Sequence, residues 1–398
     1  MPVGPPVSVQ PPVPTIPELD LAATGFDTLN GWAGSDPAKG LEAFRRSCGA
    51  IQAQAADALL GLSAYAGSVA DWGEVCRQAA ALQATASEDA RAFFETVFVP
   101  YRISQGTGDG FFTGYYEPEL KGSRTRHGAY QTPLYGLPPD LVTVDATIFR
   151  DTFRGMGSTG MTMATMARRY VPYPARTEIE RDGLPASPLF YVDDPIGAFF
   201  LQIQGSGRVM LDDGTTVRAA YAGQNGRPYT AIGAVLLERG ELTREELSLQ
   251  SIRAWLIAHP GEAREVMDSN DSYVFFSEQP VGNPLEGPLG TEGVALTARA
   301  SLAVDASIHA LGVPVWLEAS APDPDAAKPD RAFNALLVMQ DTGSAIRGAV
   351  RGDVYWGFGA EAESVAGRMK HAGRMTVLLP RSVAARLGPH AKFPAPGP

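Results

Sequence analysis

Ala335-Leu-Leu-Val-Met-Gln-Asp341-Thr-Gly-Ser-Ala-Ile-Arg-Gly-Ala-Val-Arg-Gly-Asp353-Val-Tyr-Trp-Gly-Phe-Gly359 is the stretch that decides the fold of this chain. Its apolar opening, Ala335–Met339, reads as a buried strand. Asp341 and Asp353 then bracket a turn rich in glycine and small residues, with aromatics following the second aspartate. Strand, turn and strand bring two acidic side chains near one another in an aromatic-lined setting. Such a setting can lift a carboxyl pKa far enough for acid catalysis near neutral pH.

The surrounding sequence has the same texture. From Tyr273 onward, short strands are expected at Val274–Phe276, Leu296–Asp305, Pro314–Ala319, Phe333–Asp341, Asp353–Phe358 and Arg374–Leu379. Six short strands separated by glycine turns suggest a small closed barrel. Upstream, Ala198–Met210 reads as a strand, a turn at Gly205-Ser-Gly207 and a returning strand, closed by the hairpin signal Asp212-Asp-Gly214. Helical periodicity is confined to three places. Leu41, Phe44, Cys48, Ile51, Ala55 and Leu59 predict a helix over 36–62, and a second is expected from Ala70 to about Thr96, with Asp89–Val97 as a candidate segment of its own. A third block covers 230–269, where Thr243 and Glu246 form a capping box ahead of Leu249, Ile252 and Leu256. A short charged helix is expected over Thr177–Asp182. The fold class is mainly β with α.

Composition narrows the function. The 398 residues include 43 Gly and 32 Pro and carry a net charge of −11. Without a basic run, nucleic acid and anionic membranes are poor partners. No apolar stretch approaches the ~20 residues that span a bilayer. Residues 1–18 read as a disordered proline-rich N-terminus without the charged and apolar regions of a signal peptide. Cys48 and Cys76 are too few for a metal cage; they form either a disulfide between paired helices or two buried thiols. His127, His259, His309, His371 and His390 show no metal-ligand spacing, and Gly205-Ser-Gly207 lacks the third glycine of a dinucleotide fingerprint. No metal and no cofactor are expected.

Six segments occur in one order: Phe112-Thr-Gly-Tyr-Tyr-Glu-Pro118, Gln204-Gly-Ser-Gly207, Tyr221-Ala-Gly-Gln-Asn-Gly226, Ser272-Tyr-Val-Phe-Phe276, Leu302-Ala-Val-Asp305 and Asp341–Gly359. Together they resemble the membrane-bound lytic transglycosylase A family of bacterial cell-wall enzymes, over roughly residues 40–380. Asp305, Asp341 and Asp353 match the three aspartates of that family's C-terminal domain; Ser344 stands where a glycine is more common. The resemblance implies a double-psi β-barrel with N-terminal helices, assembled from 19–124 and 284–398. It also implies an inserted α+β domain over 125–283, with a glycan groove between the two. The implied reaction cleaves the β-1,4 bond between N-acetylmuramic acid and N-acetylglucosamine in peptidoglycan. The muramyl C6 hydroxyl closes on C1 to give a 1,6-anhydro product, so one Asp serves as acid and base. The implied setting is the cell envelope, in the periplasm or at the outer membrane, although no export signal or lipid-bearing cysteine is read here. Glycan strands are the expected partner of a monomer, and cell-wall synthesis or division proteins are candidate further partners.

Asp353 is the expected acid/base. Asp341 either supports it, by orientation or as a like charge, or is an Asx-turn residue bonded to the amides of Gly343 and Ser344. Asp305 is expected to bond loop backbone. Thr113, Gly114, Tyr115 and Tyr116 offer backbone approach, stacking faces and hydroxyls to sugars; strand alternation turns one tyrosine to the ligand and the other to the core. Gln204, Gly205, Ser206, Tyr221 and Asn225 are turn residues suited to acetamido and hydroxyl groups. Arg347 either meets a peptide-stem carboxylate or is solvated. Tyr355 lies beside the acid. Two other classes stand next to this reading. One is a non-catalytic glycan-binding protein of the same fold. The other is a dimeric aspartic protease built on the single Asp341-Thr-Gly motif.

Overall fold

The computed structural model describes residues 18–83, 86–104, 110–144, 161–166, 169–343 and 345–394. Residues 1–17, the Thr107-Gly-Asp109 segment and Ser344 lie outside them.

Six strands close into a barrel. Pro314–Ala321 pairs antiparallel with both Arg331–Asp341 and Lys370–Pro380, which joins the two ends of the sheet. Ser301–Val304 runs between Arg331–Asp341 and Arg351–Phe358, parallel to the first and antiparallel to the second. Gly110–Glu117 completes the ring, parallel to Arg351–Phe358 and antiparallel to Lys370–Pro380. Closure leaves no unpaired edge within the ring. Phe98–Ser104, Glu18–Ala23 and His390–Pro394 extend the sheet outward from Lys370–Pro380.

The helices Ala38–Gln52, Val69–Ala81 and Ser87–Val97 pack on this barrel, burying Phe44, Trp72 and Phe94 in one core with Trp316 and Leu337. Cys48 and Cys76 form a disulfide that joins the first two. The helix expected over 36–62 stops at Gln52, and the one expected over 70–96 is split between Ala81 and Ser87. Past Gln52 the apolar period continues, but Leu59 bridges Ser68 in extended pairing instead.

A second six-stranded sheet has the order Val274–Pro280, Thr216–Gln224, Gly207–Leu211, Glu119–Ser123, Pro188–Val192, Thr132–Tyr135. A bridge from Gly136 to Phe276 links its outer strands, around a core of Leu120, Leu134, Phe190, Val209 and Phe276. Val274–Phe276, counted from sequence among the barrel strands, belongs here, and Gly110–Glu117 takes the sixth barrel place. Short strand length and glycine turns are common to both sheets, so pattern alone cannot assign a strand between them. A three-stranded antiparallel sheet of Leu141–Val144, Met161–Met166 and Arg169–Pro172 stands alongside.

The strand expected from Ala198 is a helix, Pro195–Gln204. Its apolar run is continuous rather than periodic, which cannot separate a buried strand from a buried helix. The ends decide: the Asp194 side chain caps the Gly197 amide, Pro195 occupies the first turn, and Gly205 closes the helix at φ +83°. The return strand Gly207–Leu211 and the turn at Asp212-Asp-Gly214 are as read. In the helical block, Thr243 and Glu246 do bond reciprocally, but around a separate turn. The next helix, Leu249–Ala258, starts from Ser248, whose hydroxyl accepts from the Ser251 amide. Pro260 opens the following helix, Pro260–Asp268.

Candidate active site

Barrel register brings the two aspartates together. Asp341, at the end of its strand, and Asp353 are both opposite Ala303, one on each side of Ser301–Val304. Two strand spacings of roughly 4.8 Å separate their backbones. On its other flank Asp353 is opposite Thr113, and Tyr355 opposite Tyr115.

Thr113 donates its hydroxyl to Asp353 Oδ1 at 2.7 Å. Arg351 Nη2 donates to the same hydroxyl oxygen at 2.8 Å, so the guanidinium acts on the carboxylate across Thr113. Burial pushes the Asp353 carboxyl up to about 6, against the Arg351 charge and the Thr113 bond, while the Asp341 charge adds to the rise. Asp341 is also raised by burial, yet it is better solvated by the protein. Its Oδ1 accepts from the amide and hydroxyl of Thr291 at 3.0 and 2.8 Å, and its Oδ2 accepts from the Tyr115 hydroxyl at 2.9 Å. The pair is therefore asymmetric: Asp341 carries three donors, Asp353 one. Burial raises both carboxyls, and the smaller number of donors on Asp353 leaves its anionic form less stabilised than that of Asp341.

Of the other residues singled out from sequence, several converge here. Tyr115 packs against Tyr355 at a 5.3 Å ring separation with the planes tilted by 49°, and burial followed by the Asp341 charge drives its phenol well above the usual range. Tyr116 faces the barrel core instead, and its amide donates to Gln204 Oε1 at 3.0 Å. Gln204 thereby holds the strand beside the acid, and Ser206 is buried behind it. Gly114 is required by contact: a Cβ there would lie 2.6 Å from Trp356 Nε1 and 2.9 Å from the Ala366 backbone. Tyr221 stands exposed on the second sheet.

Two residues are placed differently from expectation, whereas Arg347, with 56% of its side chain exposed, is largely solvated. Asn225 is fully buried, clamping Pro174 O, Asp271 O and the Tyr273 amide. Tyr355 is 1% exposed and donates to Glu117 Oε2 at 3.3 Å. Arg347 reaches Asp305 at 3.5 Å, while Asp305 also accepts from Ser307 and the Gly348 amide, bonding loop backbone as expected. Asn225 and Tyr355 were assigned to ligand by their motifs, whose turn and strand character is equally suited to inward hydrogen bonding.

Sequence reasoning missed Thr291, Arg351 and Tyr229. Thr291 lies fifty residues from Asp341 in a loop without pattern. Arg351 was in view, two residues before Asp353, a spacing that in a strand puts both side chains on one face. Tyr229 keeps 40% of its surface exposed on the loop after Gly226. Burial raises its phenol, against the Arg176 charge, and the Asp353 charge adds to the rise.

Fold and site together define a closed barrel bearing a buried, unequally bonded carboxyl pair, joined to a second β unit. The family model described as the MltA specific insert domain matches residues 111–277, and the 3D domain matches 300–379. Membrane-bound lytic murein transglycosylase A of Escherichia coli K12 is 34% identical over 274 residues, 68% of this chain and 66% of that protein. The chain thus spans just under two thirds of the length of that curated relative. A membrane-bound lytic murein transglycosylase from Agrobacterium tumefaciens is similar at TM-score 0.80 and 33% identity, covering 92% of this chain and 99% of that one. The E. coli MltA structure with bound chitohexaose is similar at TM-score 0.63 and 28% identity, over 87% of this chain and 91% of that one. The chain belongs to the membrane-bound lytic murein transglycosylase A family. Among the described residues no helix is long and apolar enough to cross a membrane, and no cluster of His, Cys, Asp and Glu is suited to a metal.

Proposed function

We propose that this protein is a peptidoglycan lytic transglycosylase in which Asp353 is the single acid/base. The observation that carries this reading is the buried Asp353 carboxyl, raised to about 6 and, among the described residues, bonded only by Thr113, beside the better-bonded Asp341. Asp353 in its neutral form donates to the glycosidic oxygen between N-acetylmuramic acid and N-acetylglucosamine. The muramyl C6 hydroxyl then attacks C1, its proton passes to the Asp353 carboxylate, and the 1,6-anhydro ring closes. The tethered hydroxyl replaces a bimolecular nucleophile, so proximity supplies much of the rate. Asp341, whose anionic form Thr291 and Tyr115 stabilise against burial, raises Asp353 and as a carboxylate offsets positive charge developing at C1.

The glycan lies between the barrel face bearing Asp353 and the unit over 125–283, on which Tyr229 is exposed. The relative bearing chitohexaose supports a β-1,4 glycan as ligand. An envelope setting is supported by the membrane-bound relatives and by the Cys48–Cys76 disulfide, since such bonds persist where the compartment is oxidising. Digestion of purified peptidoglycan with mass analysis of the products tests the reading. Anhydromuropeptides are expected; reducing-end muropeptides would make the protein a hydrolase, and an unchanged substrate a binding protein.

A further inference from the structure

The second β unit contains a cavity of about 520 Å³ between the strand Thr132–Tyr135 and the helices Arg176–Asp182, Pro195–Gln204 and Pro260–Asp268. None of its lining residues belongs to the Asp353 site. Its volume falls in the range that takes a drug-sized molecule. Tyr135, Tyr273 and Phe199 give it an aromatic wall, and all three are at least nine-tenths buried.

One hydroxyl of the wall has no protein partner. Tyr135 is 7% exposed, its hydroxyl lies against Gly183 on the cavity wall, and among the described residues nothing hydrogen-bonds to it, so it is open to a ligand group. The rim is charged with both signs. Arg264 is paired with Glu180 and Asp268, and Arg181 with Asp182. Arg126 instead bonds only the neutral amide of Gln131 and, among the described residues, has no carboxylate partner. An aromatic wall, an unpartnered hydroxyl and an unpaired guanidinium under a rim of mixed charge do not match a neutral sugar. They match a short peptide with a free carboxylate.

We propose that this cavity is a second ligand site, for the carboxylate-bearing stem peptide of the murein substrate, with Arg126 receiving the carboxylate and Tyr135 hydrogen-bonding the peptide backbone. The substrate class rests on the function proposed above. The cavity is lined by Pro195, Ala198, Phe199 and Gln202 of the same helix whose last residue, Gln204, holds the Tyr116 amide. The two sites therefore share one rigid element while using different faces of it.

The test titrates the full chain with free stem peptide released from peptidoglycan by an amidase, followed by calorimetry. Saturable binding is expected, weakened about tenfold or more by Arg126→Ala and severalfold by Tyr135→Phe, and unchanged by Asp353→Asn. Arg126 is exposed and Tyr135→Phe keeps the ring, so both variants should fold. Absence of binding at millimolar peptide, or binding indifferent to both variants, overturns the proposal. Product analysis on peptide-free glycan separates it from the proposed function. Cleavage without peptide binding sinks only the second site, and peptide binding without cleavage sinks only the transglycosylase reading.

Discussion

Two buried carboxyl groups flank the same barrel strand, and the protein treats them oppositely. Glu117, at the end of Gly110–Glu117, is fully buried between Arg218 at 2.6 Å and Arg208 at 3.4 Å. Both guanidiniums also donate to backbone oxygens, Arg208 to Pro284 and Arg218 to Glu286, and Arg208 lies 3.4 Å over the Phe358 ring. This hub ties the second sheet to the barrel at Pro118, where the chain passes from one to the other. Asp353, opposite Thr113 four positions earlier on that strand, has no guanidinium in direct contact; Arg351 stops at the Thr113 hydroxyl. Direct pairing fixes a charge and makes it structural. Withholding it leaves a carboxyl whose proton is available near neutral pH.

The sharpest break of this contrast is Asp353→Asn, expected to cut turnover by about 10²–10⁴-fold or more through loss of the general acid, read by product release from peptidoglycan. The same variant should stabilise the fold in alkaline buffer. Asp353 is raised from 3.8 to about 6, so its folded state prefers the proton. Its stability penalty is full above about 6 and absent below the unfolded value. Thermal melting should therefore show a gain on the order of 1–3 kcal/mol at alkaline pH, fading as pH falls toward 4. A variant no more stable than the parent at high pH would contradict the burial argument.

Glu117→Ala should cost roughly 3–5 kcal/mol of stability, because it leaves two guanidiniums buried without a counter-charge. Denaturant unfolding measures it, and a loss below 1 kcal/mol would mean that the hub does not hold the junction. Asp341→Asn keeps an acceptor oxygen for Thr291, turns the contact with Tyr115 into one in which the amide donates to the phenol oxygen, and removes the like charge. The alkaline limb of the pH–rate profile, where Asp353 loses its proton, should move to lower pH by up to about one unit. Thr113→Val should move that limb the other way by a smaller step, since it deletes a bond to the anionic form. Shifts of the same sign in the two variants would rule out Asp353 as the group being read.

The stretch Asp341–Gly359 carried much of this in one dimension. Apolar runs, glycine turns and two acids in that order predicted strands and a barrel, because period and turn chemistry are local properties. Motif order carried the family and, with it, the choice of Asp353. Helix ends were less legible where apolar residues ran on past the last turn, as after Gln52. Pro195–Gln204 was misread because its caps, rather than its side-chain period, make it a helix.

What the sequence determined by itself is the inventory: strands, turns, an aspartate pair and its aromatic neighbourhood. Tertiary structure alone decided how unequally the two acids are bonded. That depends on Thr291 and Tyr115 reaching Asp341, on Arg351 stopping at Thr113, and on Asn225 and Tyr355 turning inward, contacts between residues far apart in the chain. Burial and hydrogen-bond count set a carboxyl's proton affinity, and both are created only when the barrel closes.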